Sequence, residues 1–200
     1  MARPPRPSPL YAVLGLVSWP ILRLFFRYRA VGKEHLPRDG GYVLAAGHVS
    51  NIDPWALGMA LWPRRFLRFM AKSELFWPGL GQFIAAAGAF KVHRGRSDRE
   101  AIATAVRLAR AGHVIAMFPE GTRRKKGLRK RFQPHAHTGA ARIALEAGVP
   151  LVPAGIKGTD GLRHAEQWRV RYGPPVEVSD DLTETTARLM DAIRELEATL

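Results

Sequence analysis

Two short stretches hold side chains whose types and spacing could do chemistry. In Gly47-His48-Val49-Ser50-Asn51-Ile52-Asp53 an imidazole is followed five positions later by a carboxylate, and Phe118-Pro119-Glu120-Gly121-Thr122-Arg123 sets a carboxylate, a glycine and a guanidinium on one sharp turn. A histidine titrates near neutral pH and works as a general base when a carboxylate holds one of its ring nitrogens. The five-residue spacing constrains how that pair can form. On one continuous helix His48 and Asp53 would stand about 140° apart, from roughly 100° per residue, and on one strand they would point to opposite faces. They meet only if the chain turns between them, with a strand ending near Ala46, a loop through His48 and a helix beginning around residues 51–53. The same stretch also reads as a plain helix start, in which Ser50, Asn51 or Asp53 caps the helix and His48 is solvated.

In the second stretch, backbone N–H groups around Gly121 and Thr122 are suited to cradling an anion, and Arg123 or Arg94 could pair with phosphate oxygens through two parallel hydrogen bonds. Glu120, an acceptor when ionised, would hold an arginine or a hydroxyl and would not touch phosphate. An ordinary surface turn with solvated arginines is the competing reading. Other chemistries find less support. The seven histidines are scattered, and His135-x-His137 has no third ligand close in sequence, so no metal is expected. No Gly-x-Ser-x-Gly elbow is present, so His48 is cast as a base for direct transfer and not as the partner of a serine nucleophile. The absence of cysteine removes disulfides, thiolate ligands and a thiol nucleophile.

The elements that must position these groups alternate between apolar strand-like runs and amphipathic helices. Strands are expected at 42–46, 65–71, 90–93, 113–118 and 150–156, with short edge strands at 169–172 and 176–178. Helices are expected at about 54–61, 98–111, 138–147 and 183–199; in the second of these Ala101, Ile102, Ala105, Val106, Leu108 and Ala109 share one broad face. The segment through Gly79, Gly81 and Gly88 reads as a glycine-rich connection. This alternation predicts a single α/β domain with a mostly parallel, helix-covered central sheet, and 200 residues suit one domain with a substantial core. In a parallel sheet the exits after the strands gather at one edge, where ligands bind. His48, Arg94 and the 118–123 turn all lie at such exits.

Residues 1–30 differ in character from the remainder, 31–200. Four prolines fall among the first nine residues, and residues 11–26 are apolar but interrupted by Pro20 and Arg23. That run is shorter than the roughly 20 apolar residues a membrane span needs. With Trp19, Phe25 and flanking arginines it fits a helix or helical hairpin lying in a membrane interface; a helix packed on the core is the alternative. The formal charge of +14, and seven Lys or Arg among residues 123–131, suit polyanions. An anionic lipid surface is favoured, because aromatic residues are sparse in the basic stretch and no nucleic-acid-binding motif accompanies it. A basic, non-catalytic nucleic-acid binder is the alternative from another class.

The 47–53 stretch, Gly88-Ala89-Phe90-Lys91-Val92-His93-Arg94, Phe118-Pro119-Glu120-Gly121-Thr122-Arg123 and Val149-Pro150-Leu151-Val152-Pro153 resemble, in order, the four blocks of the glycerolipid acyltransferase family, which includes 1-acylglycerol-3-phosphate acyltransferases. The resemblance implies transfer of a fatty acyl group from acyl-CoA or acyl-carrier protein to the sn-2 hydroxyl of a lysophosphatidic acid, with no cofactor. It implies His48 as base and Asp53 as its partner. Lys72, Arg94, Glu120, Gly121, Thr122 and Arg123 would hold the glycerol phosphate, and Pro153 would shape the acyl pocket. It also implies a peripheral or monotopic enzyme on the cytoplasmic face of the cell membrane, with no specific nucleic-acid partner. One departure bears on the acceptor. Where the family often has Phe-Lys-x-Gly-Ala, this chain has Ala136-His137-Thr138-Gly139-Ala140, so His137 replaces a cation and another lysophospholipid or a polar glycolipid becomes an alternative acceptor.

Overall fold

The structure is a computed structural model that describes residues 5, 7–92, 98–121, 136–161 and 166–200, with the side chains of residues 72 and 98 left aside. Its centre is a sheet of β1 (Arg29–Val31), β2 (Tyr42–Ala46), β3 (Leu67–Lys72), β4 (Ala89–Val92), β5 (Val114–Met117), β6 (Leu151–Lys157) and β7 (Arg169–Tyr172). The order across the sheet is β1-β7-β6-β2-β5-β3-β4. Strands β2 to β6 pair in parallel, and β7 joins β6 antiparallel with β1 parallel to it. The expected mostly parallel sheet is therefore present, with a reversed two-stranded margin.

Both faces are covered, as an all-apolar strand requires. All five residues of β2 are buried. Tyr42, Leu44 and Ala46 face a core shared with α2 (Asp53–Met59) and Leu22 of α1 (Pro9–Leu24). Val43 and Ala45 face a second core built with α4 (Asp98–Arg110), α5 (Gly139–Ala147) and α6 (Leu182–Ala198). The short α3 (Leu80–Ala86) leads into β4.

Two expectations are corrected, and one open alternative is decided. The glycine-rich connection contains α3, because Leu80 to Ala86 keep helix-compatible residues between Gly79 and Gly88. Residues 176–178 form no strand: Val176 makes a single bridge to Leu151, and Pro174-Pro175 supplies no N–H for a longer ladder. Residues 9–24 form one helix and not a hairpin; it continues through Pro20, which lies on the exposed side. Ser8 caps this helix by accepting from Tyr11 N–H, and its hydroxyl donates to Ala86 O at 3.1 Å. Tyr11, Gly15 and Leu22 are buried while Leu10, Val13, Leu16, Val17, Ile21 and Leu24 stay exposed, so one side of α1 belongs to the core and the other does not.

Candidate active site

The parallel strands deliver their C-terminal ends to one edge. His48 lies two residues beyond β2, and the register sets Ala45 beside Met117. Phe118, the next residue after β5, therefore arrives beside the His48 loop. Their rings stack with centroids 4.2 Å apart and planes 22° apart, which fixes one face of the imidazole.

The chain turns between His48 and Asp53 as the spacing demanded, since α2 begins at Asp53 itself. Its first turn has no side-chain cap hydrogen bond, so the capping reading fails for Asp53. The carboxylate points back into the loop. Oδ2 accepts from His48 Nδ1, Val49 N–H and Ser50 N–H, each at 2.8 Å, while Oδ1 accepts from the Thr159 hydroxyl at 2.6 Å. Asp53 is fully buried, and four donors offset the cost of removing its charge from water. An ionised carboxylate only accepts, so Nδ1 of His48 carries a proton, and in the neutral ring the lone pair then lies on Nε2. The His48 side chain is 18% exposed, in contrast to the fully buried Asp53.

Helix α2 is anchored at its other end. Tyr28 and Tyr172 donate their hydroxyls to Ala56 O and Leu57 O, both at 2.8 Å, and Leu57 is completely buried. Burial of such a leucine stabilises by about 1.5–3 kcal/mol. The carboxylate thus begins a helix held by two tyrosines and the core beneath it.

The 118–121 turn closes with Gly121 N–H donating to Phe118 O at 3.0 Å, and His137 N–H donates to Pro119 O at 2.7 Å. Gly121 has φ 66°, and a Cβ there would lie 2.7 Å from the His137 ring. Glycine is required on both counts, backbone conformation and space. His137, 16 residues further along the chain, therefore stands against this turn. Glu120 is only 4% exposed and so is withdrawn from solvent.

The remaining expected site residues divide. Lys72 ends β3, two strands from β2 and so about 10 Å across the sheet. Arg94, Thr122 and Arg123, with the basic run 123–131, lie outside the described residues. Pro153 is not brought to His48. Alternation along β6 puts it on the face of Leu151 and Gly155, and the neighbouring Gly155 packs on Leu196 and Glu197 of α6, away from α2. Sequence reasoning missed Thr159, whose hydroxyl reaches Asp53 from a loop 106 residues away, and it read Phe118 as the end of a strand and the start of a turn, with no contact to His48.

Comparison with known proteins gives the family and the fold. Residues 27–157 match the family model described as Acyltransferase. The chain is 31% identical over 191 residues to a 1-acyl-sn-glycerol-3-phosphate acyltransferase of Bacillus subtilis, covering 88% of this chain and 92% of that one. It is 30% identical over 181 residues to a plant enzyme of the same name from Limnanthes douglasii, covering 83% of this chain and 59% of that protein. The fold resembles the crystal structure of the 1-acyl-sn-glycerophosphate acyltransferase PlsC from Thermotoga maritima, with TM-score 0.67 and 24% identity, over 94% of this chain and 78% of that one.

Proposed function

Because the chain belongs to the glycerolipid acyltransferase family, we propose that it transfers a fatty acyl group from a thioester donor to the sn-2 hydroxyl of 1-acylglycerol-3-phosphate, with His48 as general base. The observation that carries this reading is the 2.8 Å hydrogen bond between His48 Nδ1 and the buried Asp53 carboxylate. Nε2 takes the proton of the acceptor hydroxyl as its oxygen attacks the thioester carbonyl. The negative charge of Asp53 stabilises the imidazolium that forms. The tetrahedral oxyanion, held by backbone donors, collapses with cleavage of the carbon–sulfur bond. The departing thiolate takes the proton from the imidazolium, leaving phosphatidic acid and a free thiol, with no acyl-enzyme formed.

The acceptor phosphate is assigned to Lys72, Arg94 and the 120–123 turn, a proposal supported by the family motif and by the gathering of these strand exits at one edge. His137 against Gly121 favours a second acceptor reading, another lysophospholipid or a polar glycolipid. Incubating the purified enzyme with radiolabelled acyl-CoA or acyl-carrier protein and a panel of acceptors separates these. Product with 1-acylglycerol-3-phosphate at the highest kcat/KM supports the main reading; preference for a neutral glycolipid overturns it.

The exposed side of α1 supports attachment to an anionic membrane surface, which we assign to the cytoplasmic face. Leu16, Val17, Leu24 and Phe25 stand in solvent beside exposed Arg23 and Arg27, and Trp77 and Phe83 are exposed near the helix start that Ser8 ties to Ala86. Among the described residues no helix is long and apolar enough to cross a membrane. Flotation with anionic vesicles should fall severalfold for a Leu16→Asp, Leu24→Asp variant; unchanged flotation argues against this surface.

A further inference from the structure

We propose that Thr159 is a positioning residue for acyl transfer, holding the Asp53 carboxylate so that it presents a fixed oxygen to His48; this rests on His48 being the base. The distribution of donors around Asp53 motivates it. All three donors to Oδ2 come from the consecutive residues His48, Val49 and Ser50, and none of them holds Oδ1, the atom that fixes the rotation of the carboxylate about its own bond. The Thr159 hydroxyl holds the other oxygen from a different strand exit, at 2.6 Å. Both Thr159 and Asp53 are 0% exposed. A hydroxyl bonded to a carboxylate at 2.5–2.7 Å is a charge-assisted hydrogen bond, roughly twice as strong as a neutral one.

Thr159 is itself held in place. It follows β6 through Gly158, which has φ 87° and whose added Cβ would lie 2.2 Å from Gln167 O. The turn is thus pressed against the segment entering β7 and admits only glycine there. Threonine is branched at Cβ and has few rotamers, so the hydroxyl is aimed with little entropy to lose. Thr159 lies two residues beyond the end of the family match at 157. The dyad is accordingly fixed from three strand exits: β2 supplies His48 and the loop to Asp53, β5 supplies Phe118, and β6 supplies Thr159.

The test is steady-state kinetics of the full chain with acyl-CoA and 1-acylglycerol-3-phosphate, each variant checked by circular dichroism and thermal midpoint. Thr159→Val, which keeps the shape and removes the donor, should lower kcat about 10- to 100-fold with both KM values within about twofold of wild type. Thr159→Ser should return kcat to within about threefold of wild type. In a His48→Ala background Thr159→Val should add no further loss to the residual rate. The proposal is overturned by full kcat in Thr159→Val, by a loss that serine does not restore, or by the same fractional loss with His48 absent. Should Thr159→Val not fold, Thr159→Cys, a weak donor of similar size, is expected to give a kcat below that of Thr159→Ser, and wild-type kcat in it would overturn the proposal. Undiminished transfer by His48→Ala alone would instead sink the base assignment, whatever Thr159 does.

Discussion

The two ends of the central strands each carry a buried ionic group beside a histidine, and the pairings are of opposite kind. At the C-terminal edge the buried charge is the Asp53 carboxylate and its neighbour is His48. At the N-terminal edge the buried charge is the Arg65 guanidinium, 7% exposed, which donates to the carbonyls of Pro37, Arg38, Gly40 and Gly112 and lies 5.4 Å from the Tyr42 ring centroid. There the neighbouring histidine is His113. Burial, then the nearby Arg68 and Arg65, push its pKa down to about 4. A histidine among arginines resists taking a proton, whereas one bonded to a carboxylate has a built-in partner for the imidazolium. The same strands thus carry an edge where a histidine is bonded to a buried carboxylate and an edge where an arginine ties three loops together.

Separate substitutions at the two ends can break or sharpen this contrast. Of the substitutions that compare the two ends, Asp53→Asn should cost the most activity, roughly 10²- to 10³-fold in kcat, because an amide no longer holds His48 in the tautomer with a free Nε2. An effect on stability alone would make the two edges alike. Arg65→Ala should show the reverse pattern. Loss of its carbonyl bonds should cost about 3 kcal/mol, or about 6–12 °C in Tm for a chain of this size, with transfer per folded molecule unchanged. Phe118→Leu should lower kcat by up to about tenfold, as expected for an aromatic stack of about 0.5–1.5 kcal/mol, and leave Tm nearly as it was.

The smallest effect concerns His113. Its folded pKa of about 4 lies below the ordinary 6.5, so between those values the unfolded chain binds the proton that the folded chain refuses. Stability from this group is full above pH 6.5 and declines as the pH falls toward 4. Denaturant titrations of His113→Leu across that range should show a flatter pH dependence than wild type. An unchanged slope would remove the group from the account.

Much of this arrangement is legible in the sequence, for identifiable reasons. Strands buried on both faces read as unbroken apolar runs, so β2, β5 and β6 are found within a residue or two. The His48–Asp53 pair is legible because five-residue spacing admits one geometry, a turn into a helix. Helix α3 is obscured by the glycines around it, and β1 is only three residues long with an exposed arginine at its start. Thr159 leaves no local signal: a threonine after Lys157-Gly158 looks like any turn, and its partner is distant in the chain. For Pro153 the block marks a buried strand but not which face of that strand it occupies.

The central claim is that His48 accepts the proton during transfer. The most direct measurement is kcat for His48→Ala with saturating acyl-CoA and 1-acylglycerol-3-phosphate, on protein whose circular dichroism and thermal midpoint match wild type. The account predicts a loss of about 10³-fold; a rate within a few-fold of wild type would contradict it.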